Sequence, residues 1–282
     1  MMLIALLRDY LKRRPVDTIL TLSGTAIVAL IVVMALAAPL IAPYDPYVSV
    51  DEALLPPSPK HLMGTDNLGR DVFSRVVYGS QIILVVVLTS TLTSMAIGAV
   101  LGLVSGYFGG TLDRAISVIM DSIYAFPGLI LAIAFAAMLG PGVMNTMISI
   151  SVVYIPTYFR MVRGQVLSVK SKLYVEAARA LGASHGRIMI KYVLPNVLPV
   201  LPVVFSMNVA DAVLTEAALS FLGVGVPAPT PDWGFDLKNG QRNLLAGYWW
   251  ASTFPGIFIV ILALGFSLLG EGLNELVNPS RR

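Results

Sequence analysis

Two acidic residues, Asp211 and Glu216, stand inside an otherwise uncharged apolar run at 199–223. A carboxylate in that setting is costly, so it faces a cavity, pairs with a partner or holds a proton. Five residues along a helix turn the chain by about 500°, which leaves the two side chains roughly 140° apart and unable to share one narrow cavity. Glu216 reads either as a contact to a path or a neighbouring chain, or as an internal hydrogen bond. Asp211 reads more readily as paired or protonated. The rest of the chemical inventory is short. There is no cysteine, which excludes disulfides, thiolate metal sites, iron–sulfur clusters and a cysteine nucleophile. Two histidines, His61 and His185, are too few for a histidine-rich metal centre, and His61 reads as structural. No Gly-Lys dipeptide occurs, so the chain has no phosphate loop of the form G-x-x-x-x-G-K-[ST]. Nucleotide chemistry, if used, belongs to another chain.

Membrane-spanning helices must position these carboxylates. Of 282 residues, 56% are hydrophobic and only 12% charged, and mean hydropathy is +0.80. Soluble domains carry about 25% charge. Six charge-poor runs approach the roughly 20 residues a bilayer requires. They lie at 18–42, 82–105, 115–139, 143–159, 199–223 and 251–270. Asp121 falls near the entry of the third run, and Pro156 predicts a bend or early end in the fourth. Continuous apolar runs, without period-two alternation, favour a helical bundle over a barrel. Lys12-Arg13-Arg14 and Ala35-Leu36-Ala37 superficially fit a cleaved leader. The first run is too long for that and is expected to stay as a helix.

Charge placement predicts orientation. With the N-terminus inside, the inner segments hold Arg8, Lys12, Arg13, Arg14, Arg114, Arg160, Arg163, Lys170, Lys172, Arg179, Arg187, Lys191, Arg281 and Arg282, fourteen of the 19 basic residues. The outer segments hold Lys60, Arg70, Arg75, Lys238 and Arg242. Basic residues concentrate on the cytoplasmic side, so both termini are expected there. Topology thereby explains the net charge of +3, and no nucleic-acid partner is implied. The expected organisation is a cytoplasmic segment 1–17, a first transmembrane helix 18–42, an extracytoplasmic Pro-rich loop 43–81, and a five-helix core 82–282. That core includes a cytoplasmic loop 160–198 and an extracytoplasmic loop 224–250.

The inner loop is helical and basic. Tyr174, Ala177, Ala178 and Leu181 recur at i, i+3, i+4 and i+7 and share a helical face. Gly182 suits the left-handed end of a helix, Ser184 a new N-cap, and Pro195 the close of a second short helix. Such an elbow docks into another protein's groove or lies on lipid headgroups; periodicity allows both. Ser94, Gly98, Gly102, Gly106 and Gly110 form a small-residue stripe that reads as static packing for a neighbouring helix. Trp233, Trp249 and Trp250 read as interfacial anchors.

Glu176-Ala177-Ala178, then Gly182, then Leu194-Pro195, resemble the EAA loop of binding-protein-dependent ABC importer permeases. Tyr192 stands where that pattern usually has Ile. The resemblance covers nearly the whole chain. Ala42 to Pro46, Pro56-Pro57-Ser58, His61 to Arg75, Gly109-Gly110 with Asp113 and Arg114, Thr215 to Gly223 and Pro231 to Gly234 are similar to the DppC/OppC-like half of the peptide/nickel permeases. Gln81, where a basic residue is expected, and the tail Asn278-Pro279-Ser280-Arg281-Arg282 depart from it. The resemblance implies an all-α, six-span, type I-like permease fold in the bacterial inner membrane, with no catalytic residues and no cofactor or metal bound by this chain. It implies a second homologous, DppB/OppB-like permease, two ATPase subunits that bind ATP and Mg, an extracytoplasmic substrate-binding protein, and surrounding lipid. Tyr174, Glu176, Ala177, Ala178, Leu181, Gly182, Leu194 and Pro195 would couple to the ATPases. Glu216 and Asp211 would touch the translocation path or the permease interface. Di- or oligopeptides, or a similar small solute, are the expected cargo. The rival expectations are a proton-coupled secondary transporter that uses Asp211 and Glu216, or a scaffold whose inner loop binds another protein.

Overall fold

A computed structural model of the chain describes residues 15–277. The expectations for Arg8, Lys12 to Arg14 and the tail 278–282 lie outside the described residues. The described chain is helical, with one isolated β-bridge between Thr65 and Asp71. Nine helices carry the architecture: α1 (Pro15–Leu36), α2 (Val72–Phe108), α3 (Gly110–Tyr124), α4 (Gly128–Leu139), α5 (Val143–Lys170), α6 (Leu173–Ala180), α7 (Leu201–Leu222), α8 (Trp233–Gln241) and α9 (Trp250–Val277).

Among the described residues four helical stretches are long and apolar enough to cross a bilayer: Thr18–Leu36, Val72–Phe108, His185–Leu222 and Trp250–Glu275. A fifth follows if α3 and α4 count together, but they meet at 90°. The run at 115–139 is therefore not one straight helix. Pro127 occupies the N-cap of α4 in extended geometry, and a residue before proline is steered out of helical conformation, so the chain turns there. The run at 143–159 is extended instead of shortened. α5 passes through Pro156 and reaches Lys170. Arg160, Arg163 and Lys170 make its second half too polar to read as a span.

α2 starts at Val72, ten residues before the apolar run that begins at 82. Asp71 caps it, accepting from Ser74 N (2.8 Å) and Ser74 Oγ (2.7 Å), and this satisfies otherwise orphaned groups at the helix start. The small-residue stripe lies against α5. Ser94 Oγ donates to Ser151 O at 2.8 Å, and a Cβ at Gly98 or Gly102 would fall 2.6 Å from the carbonyl oxygen of Ile155 or Phe159. The stripe is therefore packed backbone to backbone. Gly110 is not part of it: it opens α3, and a Cβ there would meet nothing within 4 Å. α1 packs along α9, where Gly24 and Gly272 allow similar closeness to Leu269 and Thr21.

The main core gathers Ile31 from α1, Ile83 and Val87 from α2, Ala132 from α4, Tyr158 from α5, Val213 from α7 and Leu262 from α9. At one end the segment before α2, the loop after α7 and α8 form a capped module. Two tryptophans expected as interfacial anchors are instead inside this module. Trp233 is fully buried and donates to Val76 O (2.8 Å), while Trp250 donates to Thr65 O (3.0 Å). Their indole N–H groups find partners far away in sequence, so they need no lipid–water boundary. Trp249 alone stays half exposed. His61 is buried between two aspartates, with Nδ1 2.8 Å from Asp71 Oδ1 and Nε2 3.4 Å from Asp51 Oδ2, which fits its structural reading. Gln81 uses its amide to reach Ala35 O at 2.7 Å, tying α2 to α1.

Candidate functional site

The first candidate lies at the end of the bundle where α2 and α5 finish. α6 ends in a Schellman motif. Gly182 has φ +78°, its N–H donates to Arg179 O (3.0 Å), and Ala183 N–H donates to Ala178 O (3.1 Å). The elbow predicted at Gly182 is therefore present. Ser184 occupies the next N-cap position in extended conformation, but its hydroxyl makes no capping bond; its carbonyl accepts from Ile188 N instead.

The predicted apolar face divides in two. Val175 and Ala178 turn inward and pack with Val162, Val166, Ile188 and Val193, so Ala178 is an anchor. Leu173, Tyr174, Ala177 and Leu181 turn outward, with Leu173 82% and Leu181 88% exposed. Glu176 is also exposed. A rigid elbow thus presents large apolar side chains on a buried base. Beside it lies a cleft of about 470 Å³ lined by Tyr107, Phe108, Lys170, Ser171, Arg179 and His185.

Pro195 does not close the second helix. The helix His185–Ile188 widens into a π-turn at Met189–Val193, continues as Leu194–Val197, tightens to 3₁₀ at Leu198–Val200 and runs into α7. A π-turn relaxes the ladder where proline lacks an N–H, and this lets the chain continue. Leu194 is half buried and Pro195 exposed on this connection. The second arm of the elbow and α7 are therefore one 38-residue helical stretch, His185–Leu222.

That stretch carries both carboxylates, which face different surroundings. Glu216 is 0% exposed and accepts from Ser220 Oγ at 2.9 Å. It faces Asp232, the N-cap of α8, which accepts from Phe235 N at 2.8 Å. The remaining oxygens, Glu216 Oε2 and Asp232 Oδ2, are buried and have no hydrogen-bond partner among the described residues. Burial raises Asp232 above the ordinary carboxylate range, against the lowering effects of Glu216 and the Phe235 N–H. Glu216 thus makes the internal hydrogen bond that its sequence position also allowed. Its side chain is enclosed by this chain, because α8 folds over α7 at that point.

Asp236, one turn further along α8, is held by Arg75 of α2. Nη2 lies 2.7 Å from Oδ1, and Nε lies 3.0 Å from both oxygens. Burial pushes Asp236 up to about 6, with the guanidinium pulling the other way. Arg75 also donates to Pro46 O, Pro229 O and Thr230 O, and so joins four segments at one buried point.

Asp211 is exposed on the opposite wall of α7, in a cleft of about 330 Å³ between the α3–α4 bend, α5 and α7. Tyr154 OH donates to Asp211 Oδ2 at 2.6 Å and lies 3.1 Å from Thr215 Oγ1. Tyr154 and Asn208 escaped sequence reasoning. The signal was available, since Asn208, Asp211 and Thr215 recur at i, i+3 and i+7 on one face.

The site thus sets an exposed apolar elbow at the foot of a membrane-length helix that carries a carboxylate into a cleft. The fold is similar to that of the MetNI methionine ABC transporter in inward-facing conformations, at TM-score 0.58 and 21% identity over 73% of this chain and 97% of that one. Residues 98–282 match the family described as binding-protein-dependent transport system inner membrane component, and residues 20–57 match the N-terminal TM domain of oligopeptide transport permease C. The chain belongs to this family of ABC importer permeases. It is 41% identical to the probable D,D-dipeptide transport system permease protein DdpC of Escherichia coli, over 92% of this chain and 87% of that protein. It is 40% identical to the di/tripeptide transport system permease protein DppC of Pseudomonas aeruginosa (92% and 87%) and 38% identical to the glutathione transport system permease protein GsiD of Pectobacterium atrosepticum (89% and 84%). It is a non-catalytic permease component of the inner membrane.

Proposed function

We propose that the chain is the translocating subunit of an ATP-driven importer for dipeptides or short oligopeptides, and that it spans the membrane six times with both termini in the cytoplasm. α5 then serves as a span despite its polar half, because its small and hydroxylated residues pack on α2 and do not meet lipid. The capped module around Arg75 and His61 faces outward, where a binding protein delivers cargo. The elbow faces the cytoplasm.

Leu173, Tyr174, Ala177 and Leu181 seat in a groove of an ATPase subunit, with Glu176 at the rim and Gly182 setting the angle. ATP and Mg reside on two such subunits, and a second permease completes the path. When the ATPases close, the elbow moves as a body, since Val175, Ala178 and Ile188 fix it to α5. Leu194 and Pro195 lie on the helical connection that passes this displacement to α7 and the Asp211 cleft.

The observation that carries this reading is the continuous helical path from the second arm of the elbow into α7. Peptide is the cargo shared by relatives of 40% and 41% identity that differ in other respects. In proteoliposomes that hold the complete importer, uptake of labelled L-alanyl-L-alanine is expected to be suppressed by excess unlabelled dipeptide and unaffected by excess maltotriose. Suppression by the sugar, or no uptake of dipeptide, overturns the peptide assignment.

A further inference from the structure

The cleft at the α3–α4 bend is a polar opening where a membrane helix would ordinarily be apolar. Its walls bear Tyr124, Phe126, Tyr154, Thr157, Asn208 and Asp211. Asp211 supplies an exposed carboxylate with no ion-pair partner among the described residues, and Tyr154 donates to its Oδ2. The guanidinium near this cleft is already committed: Arg160 pairs with Asp121 at 2.7 Å and stacks on the Tyr124 ring, 3.9 Å from its centroid. Asn208 lies deeper in the same wall, only 9% exposed, with its amide turned toward the likewise buried Tyr158 hydroxyl.

Asp211 therefore offers an exposed negative charge beside the Tyr124, Phe126 and Tyr154 rings. A volume of about 330 Å³ falls within the roughly 300–1,000 Å³ of small-molecule sites. The chemical group complementary to that carboxylate is an ammonium, and in peptide cargo that is the amino end.

We propose that this cleft is a transit site for peptide cargo, in which the exposed Asp211 carboxylate receives the α-ammonium group. The proposal rests on the peptide reading above and adds to it a site on this chain. Tyr154 acts as a positioning residue, since its hydroxyl holds one carboxylate oxygen and leaves the other toward the cleft. Discrimination occurs on the permease itself, after the binding protein has released its load.

The test uses the complete importer in nanodiscs, without nucleotide or binding protein, and measures equilibrium binding of L-alanyl-L-alanine and its N-acetyl derivative. A charged hydrogen bond predicts about tenfold tighter binding of the free amine. Asp211→Asn is expected to remove that preference by weakening the free amine alone, and Tyr154→Phe to reduce it, because the carboxylate is then no longer held. Equal affinity for both compounds in the wild type, no saturable binding, or an unchanged preference in Asp211→Asn overturns the proposal. Vesicle uptake of the same dipeptide reads the peptide assignment separately. Normal uptake with an unchanged preference in Asp211→Asn defeats this proposal and leaves that assignment standing.

Discussion

Leu181→Glu in the assembled importer is expected to reduce both cargo uptake and cargo-stimulated ATP hydrolysis by about tenfold or more, the scale of losing a central interface anchor. The side chain is 88% exposed, so the substitution disturbs no packing within the chain and the protein should insert and purify normally. Its effect arises because an apolar groove on a partner cannot accept a carboxylate without desolvating it. Gly182→Pro should give the same loss by another route. The Schellman turn needs φ +78° at this position, whereas proline is held near −65°, so the elbow loses its angle. A third substitution separates docking from general damage. Leu181→Met keeps apolar bulk and should retain most of the activity. The readouts are ATPase rate with and without loaded binding protein, together with co-purification of the ATPase subunits. If Leu181→Glu retains cargo-stimulated hydrolysis, the exposed face of α6 is not the coupling surface.

The second large effect is expected at Arg75. Its guanidinium is buried and bonds Asp236 and three carbonyl oxygens from two other segments. Arg75→Met leaves Asp236 buried without its cation, and breaking a buried pair in this way costs about 3–5 kcal/mol. For a chain of this size that corresponds to a fall in melting temperature on the order of 10 °C. Asp236 is already pushed up to about 6 by burial, and removal of Arg75 raises it further and leaves the module at α8 loosely tied. Arg75→Lys should not restore stability, because an ammonium cannot reach the carboxylate and the carbonyl oxygens in one plane. The double variant Arg75→Met with Asp236→Leu should recover part of the loss, since no charge is then stranded. Thermal unfolding of the purified protein in detergent measures all three. An unchanged melting temperature in Arg75→Met would show that the buried contact contributes nothing.

Sequence revealed the elbow well because its signals are local. Gly182 ends a helix through its own backbone freedom, and the spacing of Leu181 from Tyr174 shows on the sequence itself. It revealed α7 equally well up to Gly223, whose φ of +90° ends that helix. The failures concern contacts that close over long separations. Trp233 and Trp250 resemble boundary anchors until the hydrogen bonds to Val76 and Thr65, 157 and 185 residues distant, draw them inside. Glu216 allows both a path contact and an internal bond until α8 covers it with Asp232. The bend at Pro127-Gly128 is a different case. A turn signal was present, but hydropathy runs through it unbroken, and apolar composition conceals a break in the backbone. Pro195 misled in the opposite direction, since a π-turn in the preceding residues absorbs the missing N–H. The membrane cleft was half legible. Asp211 stands out by its charge, but the wall that faces it comes from α5 and the α3–α4 bend, which no single segment discloses.

The central claim is that cytoplasmic ATP hydrolysis, transmitted through the elbow, drives cargo through this chain. The most direct test is uptake of labelled dipeptide into vesicles that contain the complete importer and binding protein, with ATP removed in one arm and a proton uncoupler added in the other. Uptake that stops without ATP and continues under the uncoupler is the predicted result. Uptake that survives ATP removal and ceases with the uncoupler would make the chain a proton-driven carrier and contradict the account.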